Sequence, residues 1–456
     1  MNRRKGVLLY QSGCARRGSA KLISFFLSML ATFFFISPSA ADNIPVSAPE
    51  YQASATCRIC HEKIFGQHEG SMHARAFSNP VFQAQYFQEL VPLIPGNEAL
   101  GREAVRCIAC HSPITSLKHK GVVTTIGQVD QSQSGVVCDF CHRVVAFRGE
   151  RPEGGNFIST PGEKKFGPFR HASDWHHVYH ELQTKSEICG ICHNDVNHNG
   201  LEIKSTYSEW KESSYAKKKI ECQDCHMSLD GFLTDNKPSY DSGEAAKRPF
   251  GKPYKRSKLY THRFPGAHSQ TQIEGSLTLT IALKQTSAVS GEEIDFSVEV
   301  FNKLAGHSMP SGSSDLRVLW LQLYATVDGR QISIPVVSEG SSYGIAGRGG
   351  VAKDVLGMDV PEGSRVYRSV YLDADGKQTL SSYKAVKVIF DNRLKAEERR
   401  GEQYRFRVPN DLKSGQVNLT AKLFYLRYPS SFAAALNLEK ARQVEMVTTT
   451  QDLAIR

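Results

Sequence analysis

Between residues 57 and 226 a single five-residue word is written five times: Cys57-Arg58-Ile59-Cys60-His61, Cys107-Ile108-Ala109-Cys110-His111, Cys138-Asp139-Phe140-Cys141-His142, Cys189-Gly190-Ile191-Cys192-His193 and Cys222-Gln223-Asp224-Cys225-His226. Each word sets two thiols three positions apart and a histidine directly behind the second. On one helical turn that spacing lets both sulfurs reach the two vinyl groups of one porphyrin, while the adjacent imidazole is delivered to the iron. A single such word reads equally well as half a zinc ribbon or as a dithiol redox site. Five words do not, because a zinc ribbon pairs its CxxC units and has no use for a histidine after each. Ten of the eleven cysteines lie in the words, which leaves none for a disulfide framework. The sequence therefore predicts five covalently bound haem c groups, with His61, His111, His142, His193 and His226 as proximal ligands.

Charge argues in the same direction. The formal net charge is +10, which by itself suggests a nucleic-acid or membrane-surface partner. Six of those charges, Arg3, Arg4, Lys5, Arg16, Arg17 and Lys21, sit in residues 1–41, which contain no acid. That stretch has a basic start, an apolar run from Leu22 to Ile36 and a small-residue exit at Ser39-Ala40-Ala41, so it reads as a cleaved secretory signal peptide. Each ferric haem with two ionised propionates subtracts about one further charge, which brings the mature holoprotein near neutrality. No case for nucleic acid is left. Export, to the periplasm or to the cell surface, agrees with the haems.

The first cysteines of successive words lie 50, 31, 51 and 33 residues apart. This alternation predicts close-spaced haem pairs on Cys107 and Cys138 and on Cys189 and Cys222. The intervening sequence is loop-rich, with helices expected within Tyr51–His73 and Ala76–Leu90 and no period over Arg148–Arg170. So short a stretch cannot build an ordinary side-chain core around five porphyrins; the porphyrins must be that core. The polar, basic segment from Lys237 to Lys258 reads as a boundary. Beyond it the pattern turns to alternation: 277–283, 294–301, 316–324, 366–372, 383–390, 404–408 and 417–425, with a helix expected over Ser431–Gln443. Seven such strands predict an antiparallel β-sandwich. The fold class is α+β: a signal peptide (1–41), a pentahaem domain of loops and helices (42–258) and a β-sandwich (259–456).

A haem iron with a proximal histidine takes a sixth ligand or stays open, and that choice separates carriers from enzymes. Beyond the five proximal residues the chain holds eleven more histidines, enough to ligate every iron twice. His73 follows the first word closely, His176 and His177 precede the fourth, His262 flanks a Pro-Gly turn, and His307 lies in a loop bounded by Gly and Pro between two expected strands.

Several stretches resemble the multihaem cytochrome c family typified by the tetrahaem electron carrier of ammonia oxidisers, in the cytochrome c-554-like branch with a C-terminal β-domain. They are Ser71-Met72-His73 with Asn79-Pro80, Glu209-Trp210 with Ser214-Tyr215-Ala216, Cys222 to Met227, the turn His262-Arg263-Phe264-Pro265-Gly266, and Gly306-His307-Ser308-Met309-Pro310-Ser311-Gly312. The resemblance covers most of residues 50–312. It implies that His73, one of His176 and His177, His262 and His307 are distal ligands. The chain departs from the type in having five haem words rather than four, and the fifth distal ligand stays open among His68, His119, His171, His180, His198 and His268. The function expected is electron transfer between donor and acceptor redox proteins. The β-domain offers a route to self-assembly or to an outer-membrane complex through its strand edges. The alternative is an oxidoreductase acting on a nitrogen or sulfur oxyanion at one open haem; no acid/base cluster and no CxxCK word announces it.

Overall fold

The computed structural model describes residues 50–170, 176–247, 252–337, 341–347, 355–412 and 415–456. The expected signal peptide and His171 lie outside them. Among the described residues no helix is long and apolar enough to cross a membrane.

The chain is α+β, and its two kinds of structure follow the change of period in the sequence. In the haem-word half the helices are short and end on the words. The longest, Glu98–His111, is capped by Asn97, whose side chain accepts from the Leu100 amide, and it runs straight into the second word. Glu187–His193 and Cys222–His226 deliver the fourth and fifth words in the same way, and Cys138–Cys141 carries the third. The Asn79-Pro80 pair also has a local reason. Asn79 accepts from the Val81 amide as N-cap and Pro80 occupies the first helical position, so the segment Pro80–Gln83 starts sharply after the loop that holds His73. Side chains in this half form several small apolar clusters, such as the one that joins Phe77, Phe82, Tyr86, Leu90, Ala104 and Ile108.

From residue 277 the alternation becomes sheet. Strands Leu277–Leu283, Glu293–Asn302 and Arg399–Arg407 form one three-stranded antiparallel sheet. A second sheet runs in the order Ser287–Ala288, Val444–Ile455, Gly415–Leu426, Val318–Val327 and Arg330–Ser333, with Arg365–Tyr367 also on Val318–Val327. Inward residues of both sheets share one apolar cluster: Leu279, Ile281, Phe296, Val298, Val300 and Phe406 from the first, and Leu319, Leu321, Leu323, Leu419, Leu423 and Leu453 from the second. Val318–Val327 is buried on both faces, because Val318 and Trp320 pack outward against Val360 and Leu426.

The structure differs from the sequence reading at four places. The last strand, Val444–Ile455, escapes the reading because its run Thr448-Thr449-Thr450-Gln451 is polar, yet it pairs with residues 415–425 of the strand Gly415–Leu426. Beyond residue 277 one described pairing is parallel, Ser287–Ala288 with Ala454 and Ile455, so these sheets are not wholly antiparallel. The terminal helix is shorter than expected, Ser430–Ala435. The basic stretch that reads as a boundary contains paired strands, Asp241–Ala246 with Tyr254–Leu259, held to the first haem word by backbone hydrogen bonds.

Candidate haem-binding cavity

The five words open onto one cavity of about 1420 Å³. A pocket for one small organic ligand spans roughly 300–1,000 Å³, so this one is built for more. Its wall carries nine of the ten word cysteines, all but Cys107, together with His61, His111, His142, His193 and His226 and with His73, His176, His177, His262 and His307.

Hydrogen bonding sets which nitrogen each imidazole offers. Nδ1 of His61 lies 2.8 Å from the Ala245 carbonyl, that of His111 2.8 Å from Ala76, that of His142 2.6 Å from Phe166 and that of His226 2.7 Å from Pro265. A carbonyl only accepts, so Nδ1 holds the proton and Nε2 keeps its lone pair for a metal. His262 and His307 are held in the same sense by the Tyr260 and Ser308 carbonyls, at 3.2 and 3.0 Å. Burial, reinforced by neighbouring imidazoles, lowers the pKa of His73 and His262 to about 3 and of His111, His176 and His193 to about 4. All five are therefore neutral at pH 7, the form that binds iron.

The rings come in facing pairs. Centroids of His61 and His176 are 5.8 Å apart, of His73 and His193 6.1 Å, of His142 and His262 6.2 Å, and of His226 and His307 6.4 Å. An iron between two imidazoles needs about 2 Å to each nitrogen, and each ring centre sits about 1.2 Å behind its nitrogen, so axial partners should stand about 6.4 Å apart. All four pairs fall at or just below that spacing.

His111 differs. Its ring stacks on Phe82 at 3.8 Å, and among the described residues no second imidazole faces it. His177 points its Nε2 at the Phe169 carbonyl, 2.8 Å away, and is not the ring that faces His61. The remaining described histidines are engaged elsewhere: His68 with the Val136 carbonyl, His119 with Val122, His180 with the Leu182 amide, His198 with Glu103 and His268 with Arg427. What does stand at the cavity wall near His111 is Lys204. Its ammonium is 3.7 Å from Asp195, which also binds Arg106. The sequence reading missed this cation, which sits outside every haem word and has no motif to mark it.

Thiols from different words also meet. Cys57 contacts Cys138, Cys110 contacts Cys192, and Cys189 contacts Cys222. The last agrees with the spacing argument. No contact joins Cys107 to Cys138 among the described residues; the third word lies against the first instead, because Ser54 of the first helix caps the Cys138 amide.

The loop that carries His307 is pinned by residues far away in sequence. Glu209 accepts from the Ser308 amide at 3.0 Å and pairs with Arg393 at 2.8 Å, and Asn302 donates to the His307 carbonyl at 2.9 Å. Tyr215 lies flat beneath Gly306, where a Cβ would come within 3.1 Å of its ring. Glu209, Tyr215 and Gly306, residues that carry the resemblance, thus meet at the loop that holds the His307 imidazole.

Comparison with known proteins points to multihaem c-type cytochromes from both the words and the fold. The family described as Cytochrome c554 and c-prime matches residues 56–143. Among solved structures, a penta-heme cytochrome c552 from Thermochromatium tepidum is 18% identical, with a TM-score of 0.61, covering 89% of this chain and 99% of that one. At that identity the likeness is one of fold. Spo0M, a sporulation control protein from Bacillus subtilis, shares 11% identity over 40% of this chain and 50% of its own, with a TM-score of 0.16 that carries no argument. No curated protein matches the chain in sequence. The family match and the shared fold show the resemblance to multihaem c-type cytochromes that the sequence suggests.

Proposed function

We propose that this is an exported pentahaem cytochrome that passes single electrons between redox proteins outside the cytoplasmic membrane. The observation that carries the reading is the set of four imidazole pairs at 5.8–6.4 Å, the spacing of two axial ligands on one iron. Each word binds one haem through its two cysteines, and the iron of each haem supplies the one-electron couple. His61 and His176, His193 and His73, His142 and His262, and His226 and His307 are the axial pairs, and His111 holds the fifth iron from one side. The chain's own work is to fix ring orientation through backbone carbonyls, keep the imidazoles neutral and exclude water. Residues 42–258 are the haem-bearing part. The part from 259 onward is a β-sandwich that lends His262 and His307, and the strand Arg330–Ser333, exposed along its length, is an edge through which copies or an outer-membrane partner join.

One observation favours a second reading. His111 faces no second imidazole among the described residues, and the Lys204 ammonium lines the same cavity, which suits a nitrogen or sulfur oxyanion at an open iron. Haem quantification followed by EPR of the ferric holoprotein, with and without nitrite, separates the two. Five haems whose spectrum is indifferent to nitrite support transfer alone. A fraction of the iron that shifts on adding nitrite supports the second reading, and fewer than five haems overturns both.

A further inference from the structure

We propose that the first haem word is the port through which electrons enter or leave, and that its outer face docks an acidic redox protein. The proposal rests on the reading of the words as haem-bearing. Thioethers join the porphyrin at one edge, so the two residues between the cysteines cover that edge. In the second to fifth words these residues are buried or half-buried: Ile108 and Ala109, Asp139 and Phe140, Gly190 and Ile191, Gln223 and Asp224. In the first word both Arg58 and Ile59 are exposed, and Ile59 is 74% exposed. Neither belongs to the wall of the haem cavity, so Ile59 looks outward to solvent rather than inward to the haem space. An isoleucine this open over a cofactor edge gains nothing for folding. It suits the apolar centre of a transient contact.

The rim around it is cationic. The hairpin Asp241–Ala246 with Tyr254–Leu259 is clamped beside the word, with the Lys247 amide 2.7 Å from the Cys60 carbonyl and His61 Nδ1 2.8 Å from the Ala245 carbonyl. The hairpin and the segment joining its strands carry Lys247, Lys252, Lys255, Arg256 and Lys258 against Asp241 and Glu244, a surplus of positive charge next to the word, although Lys247 and Arg256 also line the haem cavity. The acids there are already spent: Asp241 pairs with Lys63 at 2.6 Å, Glu62 pairs with Lys247, and Glu244 stands opposite Lys255 in register. Arg256 and Lys258 rest on aromatic rings instead of carboxylates, at 3.9 Å from Phe169 and 3.7 Å from Tyr240. A positive rim around an apolar centre selects a partner with the opposite potential and speeds its arrival. Inward of the edge, the thiol contact between Cys57 and Cys138 leads from the first haem to the third.

The test uses holoprotein with its five haems verified and photoreduced flavodoxin, an acidic one-electron donor, as probe. Second-order reduction rates are measured by stopped flow against ionic strength for wild type, Ile59→Glu and the double variant Arg58→Glu, Lys255→Glu. The double variant Lys440→Glu, Arg442→Glu, at two exposed cations just before the strand Val444–Ile455, controls for net charge. The expected result is a fall of about tenfold or more at low salt for both port variants, with a flattened salt dependence and no such fall for the control. Rates within about twofold of wild type in both port variants, or an equal fall in the control, overturn the proposal. So does a loss of self-association in Ile59→Glu with its flavodoxin rate intact, which assigns the face to a second copy of the chain. A haem count below five in wild type overturns the underlying haem reading instead.

Discussion

Replacing His307 by alanine should open one further iron, and the pairing of imidazoles fixes by how much. Four pairs stand at axial spacing and His111 stands alone among the described residues, so wild-type ferric protein should bind about one exogenous imidazole per five haems. His307→Ala removes the ring 6.4 Å from His226 and leaves that iron with its proximal ligand only. The accessible fraction should then rise from about one-fifth to about two-fifths of the iron, read as the amplitude of the Soret change in an imidazole titration and as high-spin intensity by EPR. The neighbouring histidines at 176 and 177 supply an internal control. His176 faces His61 at 5.8 Å, whereas the Nε2 of His177 lies against the Phe169 carbonyl. His176→Ala should therefore add one binding equivalent and His177→Ala none. Equal titration amplitudes for wild type and His307→Ala, or a gain from His177→Ala without one from His176→Ala, would refute the reasoning from ring spacing.

Three further outcomes follow from particular contacts. Asp139, fully buried, accepts from the Gln52 amide at 2.7 Å and from Arg143 at 3.2 Å and also binds Lys165; Asp139→Ala strands the buried Arg143 guanidinium and should cost about 3–5 kcal/mol in guanidinium unfolding of the holoprotein. Asp315 is buried and its carboxyl is pushed up to about 6 by desolvation, so ionising it costs more in the folded chain than in the unfolded one. The folded state then loses stability as pH rises from about 4 to about 6, and Asp315→Asn should be the more stable protein by about 3 kcal/mol at pH 7, with the difference gone below about pH 4; urea midpoints at the two pH values check this. Glu209→Gln weakens the tie to Arg393 and to the Ser308 amide, and hydrogen exchange in residues 305–311 should quicken while that of the Val318–Val327 strand stays unchanged.

Covalent chemistry explains what was legible in the sequence. Thioether attachment and proximal ligation need residues at fixed short spacing, so the ten cysteines and five histidines of the words could be read directly from the chain. The change of period near residue 277 announced sheet for the same local reason, and Leu277–Leu283 was read to the residue because its burial alternates cleanly. Imidazoles brought together from distant segments obey no such spacing. His73, His176, His262 and His307 meet their partners across 120, 115, 120 and 81 residues. Local context and resemblance marked them out, and both left His176 and His177 undivided; in the fold it is the His176 ring that stands 5.8 Å from His61.

Three things were decided only by the tertiary structure. The hairpin strands Asp241–Ala246 and Tyr254–Leu259 lie in a stretch that looked like a boundary because its residues are polar and basic, yet the Ala245 carbonyl orients the His61 ring. The isolation of His111 and the nearness of Lys204 depend on where the short strand Glu202–Lys204 and Phe82 come to lie beside the helix Glu98–His111. The hold of Glu209 on the His307 loop joins residues 99 apart that no period connects. Sequence by itself determined the number and spacing of the haem words, because that pattern is local in the chain. Which imidazoles stand in pairs and which stands apart depend on contacts between distant segments, and only the folded chain sets those.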